Sequence, residues 1–324
     1  MLPACAAAME PPAPADPGVP ADAQATIDSG PLVIHNPVQE RCADPGVLRD
    51  GDRWYLTCTG GSGGNQYPIY ESSDLLHWER VAWIFPAGSA PAWASGNFWA
   101  PELHVIDGHY VAYFSAKNGD HNAVGVASAA NVLGPYVDRG TPLVPRAAST
   151  IDAHAIVAAD GKPYLYFKLE GSPDTIWAHE LAADGLALTT GPSTQLIASG
   201  LAWEQNVVEA PWVIERDGMY YLFYSGAVYC NASYAVGVAR AASPLGPFEK
   251  HGAPILASGE RWVGPGHNAV TRGPDGLDYA VYHAYHLSDD TPTCAGGTGD
   301  NNQRHTLIDR VVIEDGWPKV ISNL

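Results

Sequence analysis

Residues 217–225 read DGMYYLFYS, an Asp-Gly pair followed by a run of aromatic and aliphatic residues. Asp-Gly is a strong signal for a tight hairpin turn, and aromatic residues favour strands. The same pattern occurs four more times, at residues 50–58 (DGDRWYLTC), 107–115 (DGHYVAYFS), 160–168 (DGKPYLYFK) and 275–283 (DGLDYAVYH). The copies begin 57, 53, 57 and 58 residues apart. This near-constant period predicts five copies of one structural unit.

Each period has room for four short strands. An apolar segment precedes each turn, and a third strand such as 123–130 (AVGVASAA) or 235–242 (AVGVARAA) follows the aromatic strand. The segments LGPY (133–136) and LGPF (245–248) then lead into a short fourth strand. This pattern is typical of a propeller blade. We therefore predict an all-β fold, a five-bladed β-propeller with four antiparallel strands per blade, formed by residues 31–324 as one domain.

Two pieces at the ends of this domain also look like strands. Residues 31–36 (PLVIHN) and 318–324 (PKVISNL) are short and apolar. They either complete the outermost blades or brace them, and the sequence leaves both alternatives open.

The composition suits this fold and excludes other classes. The 324 residues are 46% hydrophobic and only 16% charged, with 34 Gly and 27 Pro, as expected for a compact, turn-rich β protein. The net charge of −18, with no run of basic residues, argues against nucleic acid as a partner. No stretch of eighteen apolar residues is present, so we expect no membrane span.

The first 30 residues lie outside the repeat. They are rich in Pro and Ala and lack the charged region of an intact signal peptide. Residues 2–5 (LPAC) resemble a lipoprotein processing site, so we expect a secreted, periplasmic or cell-surface protein, with Cys5 as a candidate lipid anchor. The alternative is an ordinary disordered tail.

The other four cysteines form two candidate pairs. Cys42 and Cys58 flank a predicted hairpin, whereas Cys230 and Cys294 lie in polar loops. Disulfides are plausible outside the cytosol. Free thiols are the alternative for both pairs, and no cysteine spacing resembles a zinc site.

In a propeller the first strand of each blade lines the central axis, and all five begin at the same mouth. The five segments that precede the turns each carry an ionisable residue near their start, in the series Asp44, Glu102, Asp152, Glu209 and His267. We therefore predict a ring of four carboxylates and one imidazole at one mouth of the axis. Like charges held this close should raise the pKa of at least one carboxyl. The alternative is that these acids only cap strands or pair with basic residues.

Paired carboxylates at a controlled separation are what glycoside hydrolysis requires. Aromatic residues near the same rim would then stack on sugar faces. Phe98, Trp99 and Trp212 are candidates, although for each one alone a place in the core is the favoured alternative.

Six segments together resemble glycoside hydrolase family 43. They are ADPGVLRDGDRWYL (43–56), FWAPELH (98–104), STIDAHAI (149–156), VVEAPWVIERDGMYYLFYS (207–225), LGPF (245–248) and GPGHNAV (264–270). The resemblance extends over roughly residues 35–320 and implies a five-bladed propeller enzyme with its active site at one mouth of the axis.

The resemblance also implies residue roles. Asp44 corresponds to the general base, Glu209 to the general acid, and Asp152 to the residue that orients the acid and modulates its pKa. We expect Asp152 and the apolar neighbours of Glu209 to keep that acid protonated. The family inverts the anomeric centre, which predicts about 6.5–9.5 Å between the carboxyls of Asp44 and Glu209.

Further contacts are implied with alternatives. Glu102 and Arg304 are expected to contact substrate, although Arg304 could be an ordinary blade residue. His267 matches a residue that faces a central cation, often calcium, through water, although imidazole is not a usual Ca²⁺ ligand. The alternative is a hydrogen-bonded channel histidine. We expect no cofactor to be required, with calcium as an optional central ion.

The substrate class follows from the same resemblance. The chain shows no second β-sandwich domain after the propeller, which shifts the expectation from β-xylosidase toward α-L-arabinofuranosidase or endo-arabinanase. An exo-galactanase and a non-catalytic carbohydrate-binding propeller stay open as alternatives. The partner would be an arabinose- or xylose-containing polysaccharide or oligosaccharide, and we expect a monomer. The rim loops 60–67 and 287–303 would decide between exo and endo action.

Overall fold

A computed structural model describes residues 31–288, 303–322 and 324. These residues form five antiparallel sheets, each built from one continuous stretch of chain. The innermost strands of the five sheets contact one another in sequence around a closed ring. The predicted five-bladed β-propeller is therefore confirmed. Within these ranges the only helix is one 3₁₀ turn, Ala202–Glu204, and no helix has the length and apolarity needed to cross a bilayer.

The blades follow one another in chain order, and each runs from the axis outward. Blade 1 contains β1 (Gly46–Asp50), β2 (Arg53–Thr57), β3 (Gly61–Ser62), β4 (Asn65–Ser72) and β5 (Glu79–Phe85). Blade 2 contains β6 (Trp99–Ile106), β7 (His109–Asn118), β8 (His121–Ala129) and β9 (Val137–Asp138). Blade 3 contains β10 (Thr150–Val157), β11 (Pro163–Leu169), β12 (Thr175–Glu180) and β13 (Thr194–Ala198). Blade 4 contains β14 (Val208–Arg216), β15 (Met219–Gly226), β16 (Ala235–Ala241) and β17 (Glu249–Lys250). Blade 5 contains β18 (Trp262–Arg272), β19 (Asp278–His286), β20 (Arg304–Glu314) and β21 (Trp317–Ile321).

The Asp-Gly pairs form the turns between the first and second strands of the blades. Asp107 and Gly108 both have positive φ, as do Asp217 and Gly218. Two successive positive φ values are what a tight hairpin turn of type I′ requires, because its twist matches that of the flanking strands. In blade 1, loop 60–67 contains the short strand β3, which pairs antiparallel with β4.

Buried tyrosines of the second strands fill the space between blades. Tyr113, Tyr166, Tyr224 and Tyr282 are each almost fully buried. A buried phenol needs a hydrogen-bond partner, and each hydroxyl has one, on Gly185 O, Pro244 O, Glu204 Oε1 and Asp309 Oδ2 respectively. The repeated aromatic strands therefore provide both the apolar core and polar anchors within and between blades.

The two ends of the domain behave differently. The carboxy-terminal piece forms β21 and completes blade 5. The amino-terminal piece forms no strand over 31–36 and braces blade 5 instead, because the Asn36 side chain bonds both backbone groups of Ile308. The predicted Cys42–Cys58 disulfide is confirmed. Cys5 and Cys294 lie outside the described residues.

Candidate active site

A cavity of about 580 Å³ opens at the mouth of the axis where the inner strands begin. Six of the nine sequence-predicted site residues line it: Asp44, Trp99, Asp152, Glu209, His267 and Arg304. Three acids from three different blades thus meet around one space, together with an imidazole and a guanidinium. The residues around the rest of the wall include Asn97, Lys168, Glu170 and Tyr229.

A repeated backbone irregularity aims these side chains into the cavity. Each inner strand, or the turn that leads into it, holds one residue with φ between 44° and 57°: Asp44, Ala100, Asp152, Ala210 and His267. In blades 2 to 5 the strand pairing shifts at this same point. The left-handed region is costly for a non-glycine residue, at about 1–3 kcal/mol. Such strain collects at functional sites, where it re-aims side chains.

The backbone N–H of each left-handed residue is satisfied from a neighbouring blade. A polar side chain at the end of a second strand, or just beyond it for Thr59, accepts it in four cases. The pairs are Ala100 with Thr59 Oγ1, Asp152 with Ser115 Oγ, His267 with Ser225 Oγ and Asp44 with His283 Nδ1, at 2.7–3.1 Å. These bonds connect adjacent blades at the level of the cavity floor.

Ala210 is the exception to this pattern. The equivalent second-strand residue is Lys168, which faces β10 opposite Ile151. An ammonium group has donors only and cannot accept an N–H. Asp152 Oδ2 accepts the N–H of Ala210 instead, at 3.1 Å. A cavity acid therefore holds the backbone next to Glu209, and the ammonium of Lys168 is left to bind other groups.

Asp44 is held in the ionised form. Arg304 Nη1 donates to Asp44 Oδ1 at 2.7 Å, and the Thr59 hydroxyl donates to Oδ2. His267 Nδ1 also lies 3.3 Å from Oδ1. Burial raises the pKa of Asp44, but the charge of Arg304 and the two nearby imidazoles outweigh burial and hold it well below the ordinary value. Asp44 is thus an anion that is able to accept a proton.

Glu209 has two strong hydrogen-bond donors. Lys168 Nζ donates to Oε2 at 2.9 Å, and the Tyr234 hydroxyl donates to Oε1 at 2.7 Å. Burial raises the pKa of Glu209, but Lys168 and Tyr234 outweigh burial and lower it. This differs from the expectation that apolar neighbours keep Glu209 protonated. The apolar residues flank it along β14, whereas its charge environment comes from Lys168 on β11 of the preceding blade.

Of the three cavity carboxyls Asp44, Asp152 and Glu209, it is Asp152 that has a raised pKa. Burial and the negative charge of Glu209 raise it, His267 and Lys168 oppose them, and the pKa of Asp152 is about 7. The ring of acids was expected to contain at least one such carboxyl. Asp152 and Glu209 interact and therefore titrate as a pair. A proton that binds below about pH 7 belongs to the pair and not to one carboxyl alone.

A central calcium ion was expected to face His267 through water. His267 Nδ1 lies 3.3 Å from Asp44 Oδ1, which already accepts a hydrogen bond from Arg304 Nη1. Calcium requires six to eight oxygen ligands, so water molecules would have to fill most of its coordination shell. The calcium site stays a prediction, and no chemical step is assigned to the ion.

Three predicted substrate contacts lie away from the cavity. Phe98 packs edge-on against Tyr67, with ring centroids 5.8 Å apart. Glu102 and Trp212 each follow a left-handed residue by two positions, so they occupy the next layer down the axis. There Glu102 binds His154 at 2.7 Å, and Trp212 packs on the same imidazole at 4.3 Å. The structure therefore assigns Phe98 to the core and the other two to a lower layer.

Several residues that line the cavity or bond to its lining were missed by reasoning from the sequence. Lys168, Ser115, Ser225 and His283 all stand at the ninth position of their repeat copies, directly after the aromatic run. A polar residue recurring at one position of a buried strand was a usable signal. Tyr229, whose ring lies 5.0 Å from the Arg304 guanidinium, carried no such pattern.

Comparison with known proteins places this geometry in context. The family model described as glycosyl hydrolases family 43 matches residues 34–318. An extracellular exo-α-(1→5)-L-arabinofuranosidase of Cellvibrio japonicus is 28% identical over 314 residues, which cover 86% of this chain and 85% of the relative. An extracellular endo-α-(1→5)-L-arabinanase of Bacillus subtilis is 28% identical over 304 residues, covering 85% and 86%. The crystal structure of a thermostable family-43 glycoside hydrolase is similar with a TM-score of 0.79 and 33% identity, covering 89% of this chain and 95% of that one.

Proposed function

Because the chain belongs to glycosyl hydrolases family 43, we propose that it is an inverting enzyme that removes α-L-arabinofuranosyl units from arabinan or related plant polysaccharides. One observation carries the proposal. The cavity holds one carboxylate kept ionised, Asp44, and a carboxyl pair, Asp152 and Glu209, that takes up a proton below about pH 7. An ionised base and a protonated acid are the two groups that single-step glycoside hydrolysis requires.

Asp44 acts as the general base in this mechanism. It accepts a proton from a water molecule as that water attacks the anomeric carbon. Arg304 and Thr59 fix the carboxylate by hydrogen bonds to both of its oxygens. Such bonds restrict rotation of the carboxylate and keep its remaining lone pairs directed at the cavity.

Glu209 acts as the general acid and protonates the departing glycosidic oxygen. Its hydrogen bonds to Lys168 and Tyr234 favour the ionised form, which is the form left after proton donation. Those donors therefore stabilise the end state of the proton transfer. Asp152 supports the acid in two ways. It shares with Glu209 the proton that the pair takes up, and it accepts the Ala210 N–H, which holds the backbone next to Glu209.

Inversion requires room for water between base and sugar, which calls for about 6.5–9.5 Å between the two carboxyls. The stereochemistry is the direct test. Proton NMR of a fresh reaction should show the sugar released first as the anomer opposite to that of the substrate. Initial release of the same anomer would contradict a single displacement.

Endo-arabinanase activity is the second candidate, because the endo-acting relative is as similar to this chain as the exo-acting one. The two activities differ in product size. Digestion of linear arabinan should yield arabinose alone from an exo enzyme and a ladder of oligosaccharides from an endo enzyme. Chromatography of early products separates the two outcomes.

The decisive assay compares p-nitrophenyl α-L-arabinofuranoside with p-nitrophenyl β-D-xyloside. We expect faster release from the arabinofuranoside, and loss of release in Glu209→Gln. Faster turnover of the xyloside would favour a β-xylosidase. Binding of arabinan without any release would favour a non-catalytic carbohydrate-binding propeller.

The setting of the enzyme is also a proposal. Both relatives above are named as extracellular proteins, and a Cys42–Cys58 disulfide suits an oxidising compartment. We infer export to the cell surface or beyond, where polysaccharide is accessible. Anchoring through Cys5 and a monomeric state are part of the same proposal.

A further inference from the structure

A second group of ionisable side chains surrounds the axis one layer below the catalytic cavity. Glu102 and His104 are alternate residues of β6, so both point from the same face of that strand. His154 comes from β10 in the next blade. Nδ1 of His154 lies 2.7 Å from Glu102 Oε2, and Nε2 of His104 lies 3.1 Å from the same oxygen. One candidate ligand atom from each side chain lies within 4.8 Å of the others.

The hydrogen bonds of His154 leave a lone pair directed at the carboxyl of Glu102. Its Nε2 lies 3.2 Å from the carbonyl oxygen of Val213, which can only accept. Nε2 therefore carries the proton, and Nδ1 of the neutral ring is an acceptor. An acceptor nitrogen 2.7 Å from a carboxylate oxygen is repulsive unless a positive centre, either a proton or a metal ion, lies between them.

The surroundings of His154 match those of a metal ligand. A metal-binding histidine usually donates its second N–H to a carbonyl or carboxylate, which fixes the tautomer and the ring orientation. Val213 O provides that acceptor, and Trp212 packs on the ring with centroids 4.3 Å apart.

The group is accessible from the opposite mouth of the axis. His104 and His154 line a cavity of about 360 Å³ that is bounded by the lower halves of the inner strands. An ion could enter from this side without passing the catalytic cavity. The same space leaves a fourth coordination position open to water.

We propose that Glu102, His104 and His154 bind a divalent transition-metal ion, best matched by Zn²⁺. Two imidazole nitrogens and one carboxylate are a common zinc ligand set, whereas Ca²⁺ prefers oxygen alone. Tetrahedral ligands at about 2.0–2.2 Å from zinc lie roughly 3.3 Å from one another. The contacts of 2.7 and 3.1 Å need to open only slightly to admit the ion.

The bound ion would connect the inner strands of blades 2 and 3. His154 lies two residues beyond Asp152 on β10, so an ion at this level supports the strand that carries a cavity acid. The site is separate from the hydrolytic chemistry, and it stands whether or not the proposed substrate is correct.

Zinc binding to the full chain tests the proposal. The purified protein, free of any affinity tag, is stripped with chelator and titrated with Zn²⁺ by calorimetry, and bound metal is counted by mass spectrometry. We expect one equivalent in the wild type. Glu102→Gln and His104→Ala should each weaken binding by at least about 100-fold. Co²⁺ in place of zinc should give the visible bands of a four-coordinate ion.

The matched control is His77→Ala. His77 is exposed, and among the described residues its ring and its backbone N–H bond only to the carboxylate of Asp74. This variant should bind zinc as the wild type does. Circular dichroism of each variant verifies the fold, and Glu102→Gln keeps the size of the side chain. A wild type that binds no zinc, or unchanged affinity in both Glu102→Gln and His104→Ala, would overturn the proposal and assign the positive centre to a proton on Glu102.

Discussion

Replacing Lys168 with Met should shift the pH dependence of catalysis to higher pH. The ammonium group lies 2.9 Å from Glu209 Oε2 and 3.0 Å from Asp174 Oδ2, and its side chain is only 7% exposed. It stabilises the ionised form of Glu209 and opposes the raised pKa of Asp152. Activity requires a proton on this pair, so it falls as pH rises through the pKa of the pair. Removal of the ammonium should therefore move the alkaline limb upward.

The size of the shift follows from the contact distance. An opposite charge this close to a carboxyl changes its pKa by about 1–3 units, and one unit corresponds to about 1.4 kcal/mol. We expect the alkaline limb of kcat/KM to move up by at least about one pH unit. Tyr234, His267 and Asp44, the other polar groups around the pair, are unchanged in this variant.

The Lys168→Met variant has to stay folded for its pH profile to be interpretable. Removal of one partner from a buried ion pair costs about 3–5 kcal/mol, and Lys168 has two acidic partners. The double variant Lys168→Met/Asp174→Asn removes one of the two unpaired charges, and the asparagine oxygen can still accept the N–H of Gly171. We expect this double variant to be the more stable of the two and to show the same shift.

The assay is the pH profile of kcat/KM on p-nitrophenyl α-L-arabinofuranoside. Lys162→Met is the control, because Lys162 is an exposed lysine paired with Glu180 at 2.9 Å, remote from the cavity. It should leave the profile unchanged. An alkaline limb that stays in place in the folded double variant, or moves to lower pH, would refute the assignment of the proton to this pair.

Three further outcomes are expected. Asp44→Asn should lower kcat by about 10²–10⁴-fold on the same substrate while circular dichroism is unchanged, because amides are poor bases; near-normal turnover would exclude Asp44 as the base. Ser225→Ala removes the acceptor of the buried His267 N–H and should lower the free energy of unfolding in urea by about 1–3 kcal/mol; an unchanged midpoint would mean that this N–H has another acceptor. Replacement of Cys42 and Cys58 by Ser opens a loop with a sequence separation of 16, with an expected loss of about 3 kcal/mol in the same experiment; no loss would show that the oxidised protein gains nothing from the bond.

The architecture could be predicted from the sequence because each blade repeats the same local signals. The Asp-Gly turns and the aromatic strands behind them set the period, and the number of periods sets the number of blades. The inner strands of a propeller converge on the axis, and this alone predicts that Asp44, Asp152 and Glu209 lie around one space.

The depth at which each inner-strand side chain lies along the axis could not be predicted in the same way. Ala100 and Ala210 are left-handed residues in the structure, yet alanine has no preference for that region. Each of them precedes a proline, Pro101 or Pro211, and proline inside a strand is typical of a bulge, but this signal does not give the depth of the side chains that follow it. Glu102 was therefore placed at the mouth of the axis, although it lies two residues beyond the irregularity and one layer below.

Lys168 explains why the acid pair behaves as one unit. In four blades the left-handed residue is held by an acceptor from a neighbouring second strand, so its N–H makes no demand on the cavity acids. In the fifth case the equivalent residue is a lysine, which has no acceptor. Asp152 therefore holds the Ala210 N–H, while Lys168 holds the carboxylate of Glu209. Lys168, the ninth residue of the third repeat copy, thus affects Glu209 in two ways. It leaves the Ala210 N–H to Asp152, which orients the acid, and it supplies a positive charge next to the acid. The orientation of the acid depends on an oxygen of Asp152, whereas the ammonium of Lys168 contributes the largest opposing charge, so the two effects belong to different atoms of the same network.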